Sequence, residues 1–269
     1  MPPVAEALDA GEAWSELVDR HAGGGAGAGP TSTGRVVARF PRAAYVELGG
    51  CVLALVGPDA PRGPLHLRVP GLVPGALGDE VRLSGGVLRA GAIAIDVGRT
   101  ARWRAPVPDA SRLRAVSRHA ADSLTASRGS TSCSDDACGS VAAALDAGDL
   151  ASVVRRLGGA GPGLTPAGDD VLAGIAVVAV VAGADPEVLG AHLAAARTHA
   201  ISLAFLRWAA RGCSIEPVHD LLAALVAGRG SDVAASQARV AAVGHTSGCD
   251  LLLGMTLAFG AIARRCPAA

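Results

Sequence analysis

The sequence of 269 residues predicts an α+β protein, with a small antiparallel β unit, barrel- or sandwich-like, ahead of a larger all-helical domain. Three observations carry this expectation. Between Gly34 and Val97 short β-branched, alternating segments recur at roughly ten-residue spacing, punctuated by Gly, Pro and Asp. After "RAPVPDA" at 104–110 the texture turns helical and stays so to residue 264. Half of all residues are hydrophobic but only 3% are aromatic, so the core must be built from Ala, Val and Leu, side chains small enough to let helices approach closely.

In chain order, residues 4–21 predict an amphipathic helix, and "GGGAGAGP" at 23–30 is too glycine-rich for regular structure and reads as a linker. "GRVVARF", "AAYVEL", "CVLALVG", "PLHLRVP" and "EVRLSGGVLRAGAIAIDV" follow as strands, with "SGG" at 84–86 the best hairpin turn. Helices are expected near 109–127, 140–157, 167–183, 186–211, 217–228, 231–243 and 247–264. Asp185-Pro186-Glu187 and Glu216-Pro217 supply N-terminal signals, and Gly212 and Gly228 sit where C-caps belong. The Ser-rich stretch 126–140 reads as a solvated connector. The expected organisation is a helix and linker over 1–30, a β-rich domain over 31–108 and a helical domain over 109–269.

Composition excludes several chemistries. The formal charge is zero and all 24 basic residues are Arg, spread along the chain, so no nucleic-acid partner is expected. Without Lys there is no Schiff base, Walker lysine or carbamylated-lysine metal bridge. The start of the chain carries acids and lacks a basic segment followed by an apolar one, which predicts a cytoplasmic address. The longest apolar run, Val171 to Ala184, has 14 residues. A spanning helix needs about 20, so the run reads as a buried core helix and no membrane partner is expected. Six cysteines without metal-ligand spacing read as reduced, small apolar residues.

The chemistry concentrates in two helix starts. In "GGAGPGLTPAGDDVLAG", Gly158 to Gly174, Thr165 suits an N-cap and Pro166 the first helical position. The preceding glycines can turn successive N–H groups inward as a nest, an anion site with a positive helix end behind it. Eighty residues later "HTSGCDLLLG", His245 to Gly254, repeats the pattern. Gly168-Asp169-Asp170 and Gly248-Cys249-Asp250 each open on glycine, place Asp170 or Asp250 in the first turn, and close after three apolar residues on Gly174 or Gly254.

The expectation is that the two starts wall one site. Gly161, Gly163, Thr165 and Gly168 would surround one anion, and Thr246, Ser247 and Gly248 the second group. Asp169, Asp170, His245 and Asp250 would be the catalytic set. Ionised, Asp169, Asp170 and Asp250 could hold Mg²⁺; in a dry site, mutual repulsion would raise one of them into a general acid.

These motifs, with "RTHAIS" between them, resemble a bacterial family that includes the AllH-type subunit of oxamate carbamoyltransferase. The resemblance covers mainly residues 150–265. In that family Ser usually stands where this chain has Ala167, and a small polar residue where it has Cys249. The resemblance implies a role in ureide and purine nitrogen catabolism, exchanging oxamate and carbamoyl phosphate with oxalurate and phosphate. It also implies other subunits of a carbamoyltransferase complex, or a homo-oligomer, as partners, and a small anionic carboxylate or phosphate as substrate. A non-catalytic carboxylate-binding or scaffold subunit is the alternative.

Overall fold

The computed structural model describes residues 4–22, 31–71, 76–91, 93–126 and 135–265, in two compact units, Met1–Ala105 and Pro106–Ala269. The linker expected at 23–30 lies outside the described residues.

The first unit is a curled nine-stranded sheet. β1 (Val4–Glu6) and β2 (Asp9–Ala10) precede helix α1 (Glu12–Ala22). β3 (Ser32–Phe40), β4 (Ala43–Leu48) and β5 (Cys51–Val56) make an antiparallel meander. β6 (His66–Arg68), β7 (Glu80–Ser84), β8 (Val87–Ala90) and β9 (Ile93–Asp96) complete the sheet in the order β1-β9-β8-β7-β3-β4-β5-β6-β2. Gly85 and Gly86, with φ of 55° and 77°, close the β7–β8 hairpin in the left-handed region that its two-residue turn demands.

The sheet is antiparallel except at β1–β9 and β5–β6, which run parallel. A helix does not span 4–21. Residues 4–10 instead supply backbone to both edges of the sheet, and only the remainder, from Glu12, is helical. Because β1 and β2 are adjacent in the chain yet lie at opposite ends of the strand order, the sheet must curl. Buried Asp9 meets Arg68 at 2.6 Å, and the Trp14 indole N–H donates to Leu65 O at 2.9 Å, fixing both sides of this turn.

The second unit is helical. The regions 109–127, 140–157 and 186–211 each divide in two: α2 (Ala110–Ala115) and α3 (Ser117–Ala126), α4 (Asp135–Ala147) and α5 (Leu150–Leu157), α7 (Pro186–Leu193) and α8 (Ala200–Ala209). Residues 135–140 of the expected connector therefore belong to α4, and 127–134 lie outside the described residues. Gly148, at φ 73°, ends α4, and Asp149 starts α5 by accepting from Ser152 N at 2.9 Å. α9 (Glu216–Ala227) ends on left-handed Gly228 and leads into α10 (Gly230–Ala241). Of the described cysteines Cys138 is buried, while Cys51, Cys213 and Cys249 are partly exposed thiols.

Two long helices organise this unit. α6 (Ala167–Val181) buries the apolar run almost all round. α11 (Ser247–Arg265) is, by length and composition alone, apolar enough to cross a membrane; 56% of it is buried here, against α6, α3 and α4. α6 and α11 touch through backbone. A Cβ on Gly174 would lie 2.1 Å from Leu251 O, and one on Gly254 would lie 2.0 Å from Val171 O.

Overpacking against backbone finds no flexible neighbour to yield, so Gly174→Ala should cost about 3 kcal/mol or more in urea denaturation. Gly139→Ala in α4, where a Cβ would meet nothing within 4 Å, should instead be neutral or stabilising by up to ~1 kcal/mol. Equal effects at the two positions would contradict the crossing described here.

Candidate functional site

The loop into α6 carries its glycines in the left-handed region, with φ of 73° at Gly159, 115° at Gly161 and 90° at Gly163. It folds back over the helix it feeds: a Cβ on Gly161 would sit 3.0 Å from Ala167 N. The N-cap is Pro166, one residue beyond Thr165, and no side chain caps the start. Backbone carbonyls do so instead. Gly168 N–H donates to Ala160 O at 2.8 Å, and the N–H groups of Asp169 and Asp170 both reach Pro166 O.

Asp169 is buried and turned into the protein. Its Oδ1 accepts from Gly159 N at 2.8 Å, and its Oδ2 accepts from the Thr198 hydroxyl. Ser202 Oγ donates to Leu164 O at 3.2 Å, a second tie between the start of α8 and the glycine loop. Asp169 is thus the latch of the loop.

Asp170 points the other way. Its Oδ2 is shielded from solvent and has no hydrogen-bond partner, and Ser247, the first residue of α11, is close enough for its hydroxyl to act on the carboxyl. Asp250, in the first turn of α11, is fully buried and close enough for its charge to act on Asp170. Burial drives the Asp170 carboxyl up to about 7; the Ser247 hydroxyl opposes the rise, and the charges of Asp250 and Asp169 add to it. Of the two electrostatic regimes open to a pair of acids here, this is the dry one.

The other predicted residues divide. Ser247 and Asp250 come together with Asp170, whereas His245 is exposed and bonds no described residue. Gly161 and Gly163 are exposed; Thr165, Thr246 and Cys249 are partly buried. Gly168 and Gly248 do not offer N–H groups to an anion, because Ala160 O and Val243 O already accept them. They are contact points: a Cβ on Gly168 would meet Leu157 O at 2.1 Å, and one on Gly248 would meet Val240 O at 2.0 Å.

Both Asp169 oxygens face Gly159 and Thr198, and among the described residues no three His, Cys, Asp or Glu side chains are placed to hold a metal ion. Thr198, which bonds Asp169, belongs to neither motif, and its only signal in the sequence is its place in the polar turn ahead of α8. A cavity of about 150 Å³ between α7 and α8, lined by Leu193, Leu203, Leu206, Arg207 and neighbours, includes none of the motif residues.

Fold and site together define a class: a curled sheet followed by a helical unit in which two glycine-led helix starts flank a carboxyl with one shielded oxygen. Residues 157–259 match the family model described as oxamate carbamoyltransferase subunit AllH. The match runs from the end of α5 into α11, spans both motifs, and supports the AllH-type resemblance. No solved structure matches the chain.

A carboxyl raised to about 7 in the folded chain prefers its neutral form there. Its contribution to stability is full below its unfolded value of 3.8, declines as pH rises towards 7, and is lost above that. At about 1.4 kcal/mol per pKa unit, the loss is bounded near 4 kcal/mol. Asp170→Asn should therefore match the wild type at pH 4 and exceed it at pH 8, where thermal melts separate them by several degrees. A melting difference that does not change with pH would remove the assignment of a shielded, raised carboxyl to Asp170.

Proposed function

We propose that the chain is a subunit of a carbamoyltransferase-type enzyme that works with other subunits, as the AllH family name implies, on a small carboxylate and carbamoyl phosphate. The single observation that carries the reading is Asp170, a carboxyl with one oxygen shielded and unbonded, at a helix start facing a second helix start. A group titrating near neutrality can take or return a proton at physiological pH. In the forward direction the Asp170 carboxylate takes a proton from the amide nitrogen of an oxamate-like substrate. That nitrogen bonds to the carbamoyl carbon, the carbon–oxygen bond to phosphate breaks, and phosphate leaves with its electron pair. The reverse sequence is phosphorolysis of the carbamoylated amide.

In this proposal the loop amides around Gly161, Gly163 and Thr165 bind one anionic group, and His245 and Thr246 border the other. The setting is cytoplasmic nitrogen catabolism. Asp170→Asn, assayed with its partner subunits for carbamoyl transfer to oxamate, should lose about 10²-fold or more in turnover while still folding and assembling. Full turnover in that variant would instead favour the scaffold reading, which has an observation of its own: the first-turn amides of Gly168, Asp169 and Gly248 are already bonded to backbone carbonyls.

A further inference from the structure

The stretch "RTHAIS", Arg197 to Ser202, has no part in the proposed function, yet the fold ties it to the glycine loop ahead of α6 at three points. Gly159 and Arg197 touch through backbone: a Cβ on Gly159 would lie 2.1 Å from Arg197 O and 3.7 Å from Thr198 Cα. Asp169 joins the same two segments, accepting from Gly159 N at 2.8 Å and from the Thr198 hydroxyl. Further along the loop, buried Ser202 donates to Leu164 O at 3.2 Å. The stretch is therefore held against the loop at both of its ends, and Thr198, bonded inward, has an exposed residue on either side, Arg197 and His199.

What the loop lacks is a positive charge. Gly161, Gly163 and Leu164 are exposed, and their N–H groups, unlike those of Gly168 and Gly248, donate to no backbone carbonyl among the described residues. Bare amides on such a loop make a cradle for an oxyanion. A dianion such as phosphate also meets Asp169, Asp170 and Asp250 at the two helix starts, and their ionised forms oppose its approach. The chain has no Lys, so arginine is its only permanently charged base. Arg197 is the arginine whose backbone the loop touches, and its exposed side chain pairs with no acid among the described residues. Others are already engaged: Arg155 bonds Ser152 Oγ at 2.5 Å, and Arg264 pairs with Asp146 at 2.9 Å.

We infer that Arg197 binds the phosphate group of the carbamoyl donor and completes the glycine-loop cradle, with Asp169 and Thr198 as the positioning residues that hold it there. The fork of a guanidinium donates two parallel hydrogen bonds to phosphate oxygens while the loop amides take the others. The contact strengthens as the carbon–oxygen bond to phosphate breaks and negative charge gathers on the departing group. This assignment deepens the proposed function and rests on it for the identity of the donor; the oxyanion site itself does not.

Titration calorimetry of the full chain with inorganic phosphate, and separately with oxamate, tests the assignment. The wild type should bind phosphate. Arg197→Gln should weaken that binding about 10-fold to 100-fold, the range for a charge-assisted hydrogen bond, and leave the oxamate titration unchanged. Arg197→Lys, which keeps the charge and loses the fork, should fall between the two. Arg156→Gln and Arg207→Gln remove the same charge from other exposed positions of the helical unit and should bind phosphate as the wild type does. Thr198→Val should weaken phosphate binding with Arg197 still present, and Thr198→Ser should restore it. Phosphate binding absent from the wild type, kept in full by Arg197→Gln, or lost equally in Arg156→Gln would overturn the inference, as would an effect confined to oxamate. Should the expected pattern hold while no carbamoyl transfer to oxamate is found with the partner subunits, the oxyanion site stands and the carbamoyltransferase reading alone fails.

Discussion

The close crossing of α6 and α11 is the constraint on which the site depends. With no Cβ at Gly174 or Gly254, each helix sets its backbone against a carbonyl of the other, at Leu251 and Val171. Backbone approach of this kind is stabilised by many small dispersion contacts and by Cα–H···O contacts, and no larger residue can reproduce it. It also fixes what happens one turn earlier. Asp170 and Ser247 stand close enough to influence one another because their helices meet a few residues further on. Asp250 is sealed from solvent by the same approach.

Once closed, the crossing sets two effects against one another at Asp170. A helix N-terminus favours a negative charge, as does the Ser247 hydroxyl. Burial disfavours that charge, and so does the neighbouring Asp250. Burial is the larger effect, and the carboxyl is held near neutrality. Such an arrangement costs stability at physiological pH, and a chain selected only for folding would relieve it with an amide. The adjacent carboxylate, Asp169, shows the contrast: it bonds Gly159 N and the Thr198 hydroxyl and serves the loop architecture. Two consecutive acids thus have opposite roles because successive residues on a helix point about a quarter turn apart.

Much of this was legible in the sequence, for local reasons. The strands announce themselves through β-branched alternation and the Gly85-Gly86 turn, and α6 through its apolar run. Asp170 and Asp250 were visible because the glycine-acid-apolar-glycine pattern recurs. Features decided by distant partners were not. Residues 4–10 carry helical periodicity yet pair as strands, because two sheet edges await them. The break between α7 and α8 falls in "AARTHA", which has neither Gly nor Pro; there Thr198 is held by Asp169, 29 positions away. No pattern in the chain could tell that the amides of Gly168 and Gly248 are spent on carbonyls of the preceding turns.

Asp170 stands at the centre of the site as a shielded carboxyl between two helix starts, poised to exchange a proton near neutral pH. Its side-chain carboxyl carbon, followed by NMR across pH 3 to 9 and assigned with Asp170→Asn, tests this most directly. The expected midpoint lies near 7. A midpoint near 4, the value of an ordinary solvated aspartate, would show that the carboxyl is open to water and that the crossing does not create the site described here.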